Sequence, residues 1–308
     1  MSSVRRSYQV SDEPVPGYRL TRSYESGSSG IQYWEAVGPD GGLVRLTVVV
    51  IREDMKEGLL AWFGVLPYFM RISHPNLLPL PSLWVKTADG RLLSEPPADF
   101  SAPPVEAIEI ESPSMRFKSL RNRFRECREQ GQRGMPWQEL VWYMENVAEA
   151  IDFLHQPVHE LGRGPEAIVH GDLRPGRMLI VGNAAKLADW ANLVRWKAFE
   201  AERRITASAA LKSMVYAAPE MLDGQPQPAS DRYSLAIVYT ALRTGAMPYR
   251  KETTPSEMRE LIHKGQVELS RLTKPEKAVI EKAIALDPAE RWPTCIAMVR
   301  AIQSLVPA

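Results

Sequence analysis

The sequence predicts an α+β fold, with strands gathered in its first third and helices through the remainder, and three features carry that expectation. The run Leu43-Val-Arg-Leu-Thr-Val-Val-Val-Ile51 is rich in β-branched residues and alternates as a half-buried strand does. Pro136 to His155 repeats apolar residues at Leu140, Val147, Ile151 and Leu154, the spacing of one helical face, with Pro136 suited to the first turn. A series of short polar motifs then follows in fixed order through the second half.

Met1 to Glu13 is polar and is expected to be disordered, making 1–16 a tail. Pro16-Gly-Tyr-Arg-Leu opens a strand that runs into Glu25-Ser-Gly-Ser-Ser-Gly-Ile31, where Gly27 and Gly30 read most simply as a hairpin turn. The strand over Leu43–Ile51 comes next. Leu59 to Ile72 is interrupted by Gly64 and Pro67; an interior proline costs a helix about 3 kcal/mol, which predicts a short, kinked, apolar helix. Leu92 to Pro104 contains Glu-Pro-Pro and Ala-Pro-Pro and is expected as an irregular insertion ahead of a strand over Val105–Ile110. Arg116 to Arg133 is dense in Arg and Lys, with Glu126 and Glu129 interleaved. On a helix it forms a solvated face or a docking site for an acidic partner, the solvated face being the commoner case.

Chemistry enters at His170-Gly-Asp-Leu-Arg-Pro-Gly-Arg-Met-Leu-Ile180 and at Lys186-Leu-Ala-Asp-Trp-Ala191. Downstream stand Tyr216-Ala-Ala-Pro-Glu220, Ser230-Asp-Arg-Tyr-Ser-Leu-Ala236 and Asp287-Pro-Ala-Glu-Arg-Trp-Pro293. In this order the five segments resemble the catalytic loop, metal loop, APE segment, DxxSLG helix and DPxxRPT segment of the Ser/Thr protein kinase family. The resemblance implies a two-lobed fold. A small antiparallel-sheet N-lobe with one helix would cover about 17–110, and a mainly helical C-lobe about 111–308, with the proline-rich insertion at 92–104. It implies ATP and Mg²⁺ as cofactors, Asp172 as proton acceptor, Arg174 in place of the Lys that steadies the γ-phosphate, and Asp189 as metal ligand. Arg177 stands where the family has the Asn of a second metal site, and a fixed cation there repels the metal instead of ligating it. Glu220 and Arg291 would form a buried ion pair, and Asp231 would hold the catalytic-loop backbone. His170 reads as a packed core residue. Gly171 replaces the Arg that receives an activation-loop phosphate, so Thr206 and Ser208, within Asn192 to Ser213, lack a receptor. Ser213 keeps a hydroxyl that tilts the ancestry toward Ser/Thr substrates. His170 to Arg177 followed by Asp189-Trp190 also resembles the HGDLxPGN and Asp-Trp segments of the aminoglycoside and choline phosphotransferases, with Arg177 breaking the metal-ligand position in either family; the APE-like and DPAERWP segments favour protein kinases.

In the N-terminal third the resemblance marks what has been replaced. Of the family's glycine-rich phosphate loop Gly27 and Gly30 remain, while Glu25 takes the place of the first glycine and Gln32 that of the Val. The strand Lys is Thr47, and no Lys occurs between Gly30 and Met55. Arg45 shares the Thr47 face of the strand, where it crowds the adenine position or serves as a substitute phosphate cation. The helix Glu is Val65, and no Asp or Glu occurs between Gly58 and Ala88. Ile108 is implied at the back of the pocket, with Glu109 and Ile110 presenting backbone to adenine. Losing one preorganised charge stabiliser costs about 10²- to 10³-fold in rate, and two such losses leave little of a kinase turnover of about 1–100 per second. The implied function is a pseudokinase, a binding or allosteric module for protein partners such as an active kinase or a substrate protein. A weakly active Ser/Thr kinase and a small-molecule phosphotransferase are the alternatives.

Composition bounds the rest. The 308 residues suit one two-lobed domain, and 44% hydrophobic content supports a globular core. A formal charge of +1 gives no general argument for nucleic acid or anionic membrane, and the aromatics are too scattered to form a stacking platform for bases. No signal peptide and no apolar run of about eighteen residues is seen, so no membrane span is expected. Cys127 and Cys295 are the only cysteines, which implies no disulfide framework and a reducing cytoplasm.

Overall fold

The computed structural model describes residues 8–24, 31–80, 82–95, 102–111, 118–162, 164–191, 214–249 and 254–305. The chain divides into two compact units, one carrying Met1–Met70 and Leu80–Arg116, the other Arg71–Pro79, Phe117–Val194 and Arg204–Ala308.

The N-terminal unit is an antiparallel sheet of β1 (Arg19–Tyr24), β2 (Ile31–Val37), β3 (Leu43–Val50), β4 (Ser82–Thr87), β5 (Leu92–Leu93) and β6 (Pro104–Glu111), in the order β1-β2-β3-β6-β4-β5. Alternation along β3 sends Leu46 and Val48 into a core with Trp34, Ala36, Ile108 and Ile110. The β2–β3 hairpin turns at Asp40, whose carboxylate accepts the Gly42 N–H at 2.9 Å, and at Gly41, whose φ of 78° favours glycine. The expected insertion over 92–104 contributes β5 to the sheet edge, and the strand over Val105–Ile110 extends by one residue at each end.

Two expectations need correction. Residues 8–16, expected as part of a tail, pack against the sheet. The Tyr8 ring lies in the sheet core, its hydroxyl donates to Glu106 at 2.6 Å, and Ser11 N–H bonds the Leu20 carbonyl at 2.8 Å. Tyr8 and the fully buried Val15 anchor an otherwise polar segment. The helix over Leu59–Ile72 is not short: α1 (Lys56–Phe69) runs 14 residues and buries Leu59, Trp62, Phe63, Leu66 and Phe69 on one face. Pro67 falls in its last turn, where the missing N–H removes only the bond to the Phe63 carbonyl.

The C-terminal unit is mainly helical. After β7 (Lys118–Ser119) come α2 (Leu120–Glu129) and α3 (Trp137–Leu154), with Ser119 and Asn122 forming a reciprocal cap on α2. The expected stripe of Leu140, Val147, Ile151 and Leu154 is buried. Short strands β8 (His159–Glu160), β9 (Pro165–Glu166), β10 (Met178–Val181) and β11 (Ala184–Leu187) lead into α4 (Pro219–Leu222), α5 (Pro228–Thr244), α6 (Pro255–His263), α7 (Lys274–Ala283) and α8 (Cys295–Gln303). Nearly every residue of α5 is buried, including the polar Ser230, Asp231, Ser234, Thr240 and Thr244. Asp152 of α3 accepts the Cys295 and Ile296 N–H groups at 2.8 Å each, satisfying the start of α8 and locking it to α3.

Candidate active site

In the C-terminal unit the site is built outward from Asp231, which lies fully buried in the first turn of α5. Its carboxylate accepts the backbone N–H of His170 at 2.8 Å and of Gly171 at 2.9 Å, and meets His155 Nε2 at 2.9 Å. Burial pushes this carboxyl pKa up, but the hydrogen bonds and the nearby imidazoles outweigh burial and hold it below its ordinary value. His170 is buried as expected: Asp172 N–H donates to its Nδ1 at 3.1 Å, so Nε2 carries the proton and donates to the Ala188 carbonyl at 3.0 Å. Burial lowers its pKa, in keeping with a neutral ring. Gly171, at φ 71°, makes the left-handed turn that presents Asp172.

The return path places the second carboxylate. A short 3-10 turn over Pro175–Arg177 leads into β10, which pairs with β11, and Ala188 N–H then bonds the Arg177 carbonyl at 2.8 Å. That bond sets Asp189, in a left-handed conformation at φ 55°, beside Arg177. Trp190 is buried and donates its indole N–H to the Leu78 carbonyl at 2.8 Å.

Asp172, Arg174, Arg177 and Asp189 therefore come together. Arg177 Nε bonds Asp172 Oδ2 at 3.3 Å, and its Nη1 is ion-paired with Asp189 Oδ2. Arg174 Nε lies 3.3 Å from Asp172 Oδ1. The cluster sums to zero: two carboxylates against two guanidiniums. A hard divalent cation requires oxygen ligands with negative charge to spare, and here one guanidinium spans both carboxylates. The residues present do not fit a magnesium site, and no cluster of three or more His, Cys, Asp and Glu able to hold a metal occurs among the described residues.

The N-terminal unit carries Arg45, Thr47, Glu109 and Ile110 on β3 and β6. Thr47 stands directly across from Glu109 and from Tyr33, and Arg45 across from Glu35, so all five share one face of the sheet. Glu109 is buried there. The strand position expected of a cation thus faces a carboxylate, and Arg45 has acidic neighbours directly across and on the diagonal. Glu109 and Ile110 lie in mid-strand, paired with β3 on one side and β4 on the other, which leaves their backbone no edge to present to adenine. The strand expected to end at Ile110 continues through Glu111, so both residues lie inside it. Ile108 packs into the opposite, core face. Val65 is half-buried in α1. Glu25, Gly27 and Gly30 lie outside the described residues, as do Thr206, Ser208 and Ser213.

The rest of the C-terminal frame forms as the motifs implied. Arg291 makes a bidentate pair with Glu220, at 2.7 and 2.9 Å, and also donates to the Ala229 and Ala285 carbonyls. Ser230 Oγ donates to Glu220 at 2.7 Å. Burial raises the Glu220 pKa, but Arg291 and Ser230 override it and hold the carboxyl below its ordinary range.

The family profile for the protein kinase domain matches residues 111–301, more than half of the chain. The chain belongs to the protein kinase family. Among curated kinases it is 31% identical over 160 residues to a probable serine/threonine-protein kinase of Dictyostelium discoideum, covering 51% of this chain and 28% of that protein. It is 27% identical over 180 residues to serine/threonine-protein kinase PknF of Mycobacterium tuberculosis, covering 55% and 35%. The chain thus matches about a third or less of the length of these relatives. The PknI kinase domain of Mycobacterium tuberculosis has the same fold, with a TM-score of 0.59 at 17% identity, covering 96% of this chain and 99% of that one. Placed on the kinase frame, Asp231, Glu220 and Arg291 are structural residues kept in place, whereas the Arg177 position is filled by a cation.

Proposed function

We propose that this kinase-fold chain is a pseudokinase of the Ser/Thr type, acting as a binding or allosteric module for a protein partner. The observation that carries the reading is Arg177, whose guanidinium engages both Asp172 and Asp189, the two carboxylates on which proton acceptance and metal binding depend in the family. The acidic surroundings of Arg45 and Thr47 support it, since a triphosphate needs countercharge there. The family uses ATP and Mg²⁺; here ATP would have to bind without the metal. Two buried free cysteines, Cys127 and Cys295, suit a reducing cytoplasm, and among the described residues no helix is long and apolar enough to cross a membrane.

A weakly active Ser/Thr kinase is the second reading, favoured by the retention of Asp172 and Asp189 with Arg174 adjacent. Incubation of the protein with radiolabelled ATP, Mg²⁺ and a general protein substrate separates the two. The pseudokinase reading expects incorporation no higher than with Asp172→Ala. Robust labelling that Asp172→Ala abolishes would establish the enzyme instead.

A further inference from the structure

Within the C-terminal unit, a cavity of about 560 Å³ lies where the loop between α2 and α3 meets the end of α5 and the start of α7. The described residues that line it carry three guanidiniums, Arg133, Arg243 and Arg271, and one carboxylate, Glu276. Each arginine comes from a different part of the chain, and the backbone fixes them there. Gly134 lies so close to α5 that a Cβ would come within 2.2 Å of the Arg243 carbonyl oxygen, and Met135 N–H bonds the Leu242 carbonyl at 2.9 Å. Arg133 is thereby held beside Arg243. Arg271 stands two residues before Thr273, whose hydroxyl and N–H bond Glu276 at 2.8 and 3.0 Å in the cap of α7.

Glu276 is 3% exposed, and its carboxylate is fully engaged by the protein: besides Thr273 it accepts Arg243 Nε and the Tyr239 hydroxyl, each at 2.7 Å. Burial pushes its pKa up, but these bonds outweigh burial and hold it below its ordinary value, so the group stays ionised and keeps Arg243 in place. Arg243 directs Nε inward to that carboxylate, and its side chain, 30% exposed, brings the rest of the fork to the cavity wall. Arg133 and Arg271 are exposed. Glu268 feels the charge of Arg271, but it also faces Lys277 and accepts the Ser270 N–H at 2.7 Å. The lining side chains therefore sum to +2, three cations against one anion.

We propose that this cavity receives a phosphorylated Ser or Thr side chain of a partner protein. A phosphomonoester carries about −1.5 to −2 at pH 7, which matches the charge of the lining, and arginine forks bind its oxygens in pairs. A carboxylate brings about half that charge and one oxygen fewer. The cavity is several times the size of a phosphate group, and Met135 and Pro136 line it beside the arginines, which leaves room for the side-chain stem and the residues flanking it. The proposal rests on the reading of the chain as a protein-binding module and names the modification that its partner carries.

Fluorescence anisotropy on the full chain tests it, with labelled alanine-flanked peptides that carry phosphoserine, Glu or Ser at the centre and with inorganic phosphate as competitor. The phosphoserine peptide is expected to bind about fivefold tighter than the Glu peptide, and the Ser peptide to bind most weakly. Arg133→Ala and Arg271→Ala, both at exposed positions, should each weaken the phosphoserine peptide about fivefold, and together about twentyfold, since a solvent-accessible ion pair contributes up to about a factor of five. Lys264→Ala, which removes a surface cation of α6 outside the cavity, should leave binding unchanged and so separates this site from general attraction to basic surface. Thermal melting checks that the variants fold. Equal affinity for the three peptides, no binding of any, a phosphoserine peptide held no tighter than inorganic phosphate, or binding unchanged in the double variant would overturn the proposal. The labelling assay is independent of it: phosphoryl transfer could be found with the phosphoserine preference intact, or be absent without it.

Discussion

Replacing Arg177 by Asn restores the side chain that kinases use and removes the cation between Asp172 and Asp189. At 3.3 Å and an effective dielectric near 20, the attraction of Arg177 to Asp172 alone is about 5 kcal/mol before desolvation is counted. The three side chains are 19%, 12% and 20% exposed, so water screens the cluster only in part. Removing one partner of a buried pair costs about 3–5 kcal/mol; these side chains are only partly buried, but Arg177 serves two carboxylates, which keeps the cost within that range. At roughly 2–4 °C per kcal/mol, Arg177→Asn should melt about 10–15 °C below the wild type in metal-free buffer. The same substitution creates an oxygen-rich site of net charge near −1. With Mg²⁺ at about a hundredfold above its dissociation constant, binding returns about 2.7 kcal/mol and recovers about half of the loss. Differential scanning fluorimetry with and without Mg²⁺, in the absence and presence of ATP, reads both effects. The wild type should show no Mg²⁺-dependent change. A wild-type melting temperature that rises with Mg²⁺ as far as that of the variant would refute the assignment of Arg177, as would a variant that melts like wild type and ignores the metal.

Glu220→Gln should destabilise the C-terminal unit by about 3–5 kcal/mol, because it leaves Arg291 buried without its carboxylate; urea denaturation measures the loss. Acidification should weaken the fold in two steps. His170 has its pKa lowered by burial, so the unfolded chain takes up a proton that the native state refuses, and stability falls as pH drops below about 6.5. Asp231 is held below its ordinary value, so its contribution is present above about pH 4 and is lost below it. His263, raised by its bond to the Arg259 carbonyl and by Asp223, opposes the upper step, so His170→Gln should flatten that step most clearly in a His263→Asn background, followed by urea midpoints against pH. Gly224 and Gly245 both have positive φ, but a methyl group at Gly224 meets open space whereas one at Gly245 overlaps the Arg133 carbonyl. Gly224→Ala should cost about 1 kcal/mol and Gly245→Ala distinctly more, compared by thermal melting.

The C-terminal half was legible from sequence because its frame is made of charged and polar residues at fixed offsets whose partners are themselves motif residues. Asp231 could be assigned to the catalytic-loop backbone, and Glu220 to Arg291, before any coordinate, and the hydrogen bonds match. The alternating Leu43–Val50 run and the stripe on α3 were equally readable, since each needs only periodicity. What could not be read was set by register and by position within an element. Glu109, expected to present its backbone to adenine, is buried in β6 opposite Thr47, a placement that only the pairing register fixes. Pro67 was judged by its identity, while its effect depended on lying in the last turn of α1. Met1 to Glu13 averages polar, yet the Tyr8 ring, with Val15 beyond it, enters the sheet core.

The retained and the replaced motif positions of this chain differ in what else depends on them. Asp231 satisfies three donors at once, and Arg291 binds a carboxylate and several carbonyls, so changing either leaves multiple buried groups without partners and unfolds part of the core. Arg177 sits on a 3-10 turn whose backbone bonds do not involve its side chain, and its guanidinium finds two carboxylates already in place. A cation there therefore replaces the charge that a metal would supply and keeps the loop together without one. Physical chemistry thus permits the phosphoryl-transfer chemistry to be lost while the kinase frame, and any surface built on it, stays fixed. The converse order, losing the Asp231 or Glu220 contacts while keeping the metal-binding loop aligned, has no such compensation available.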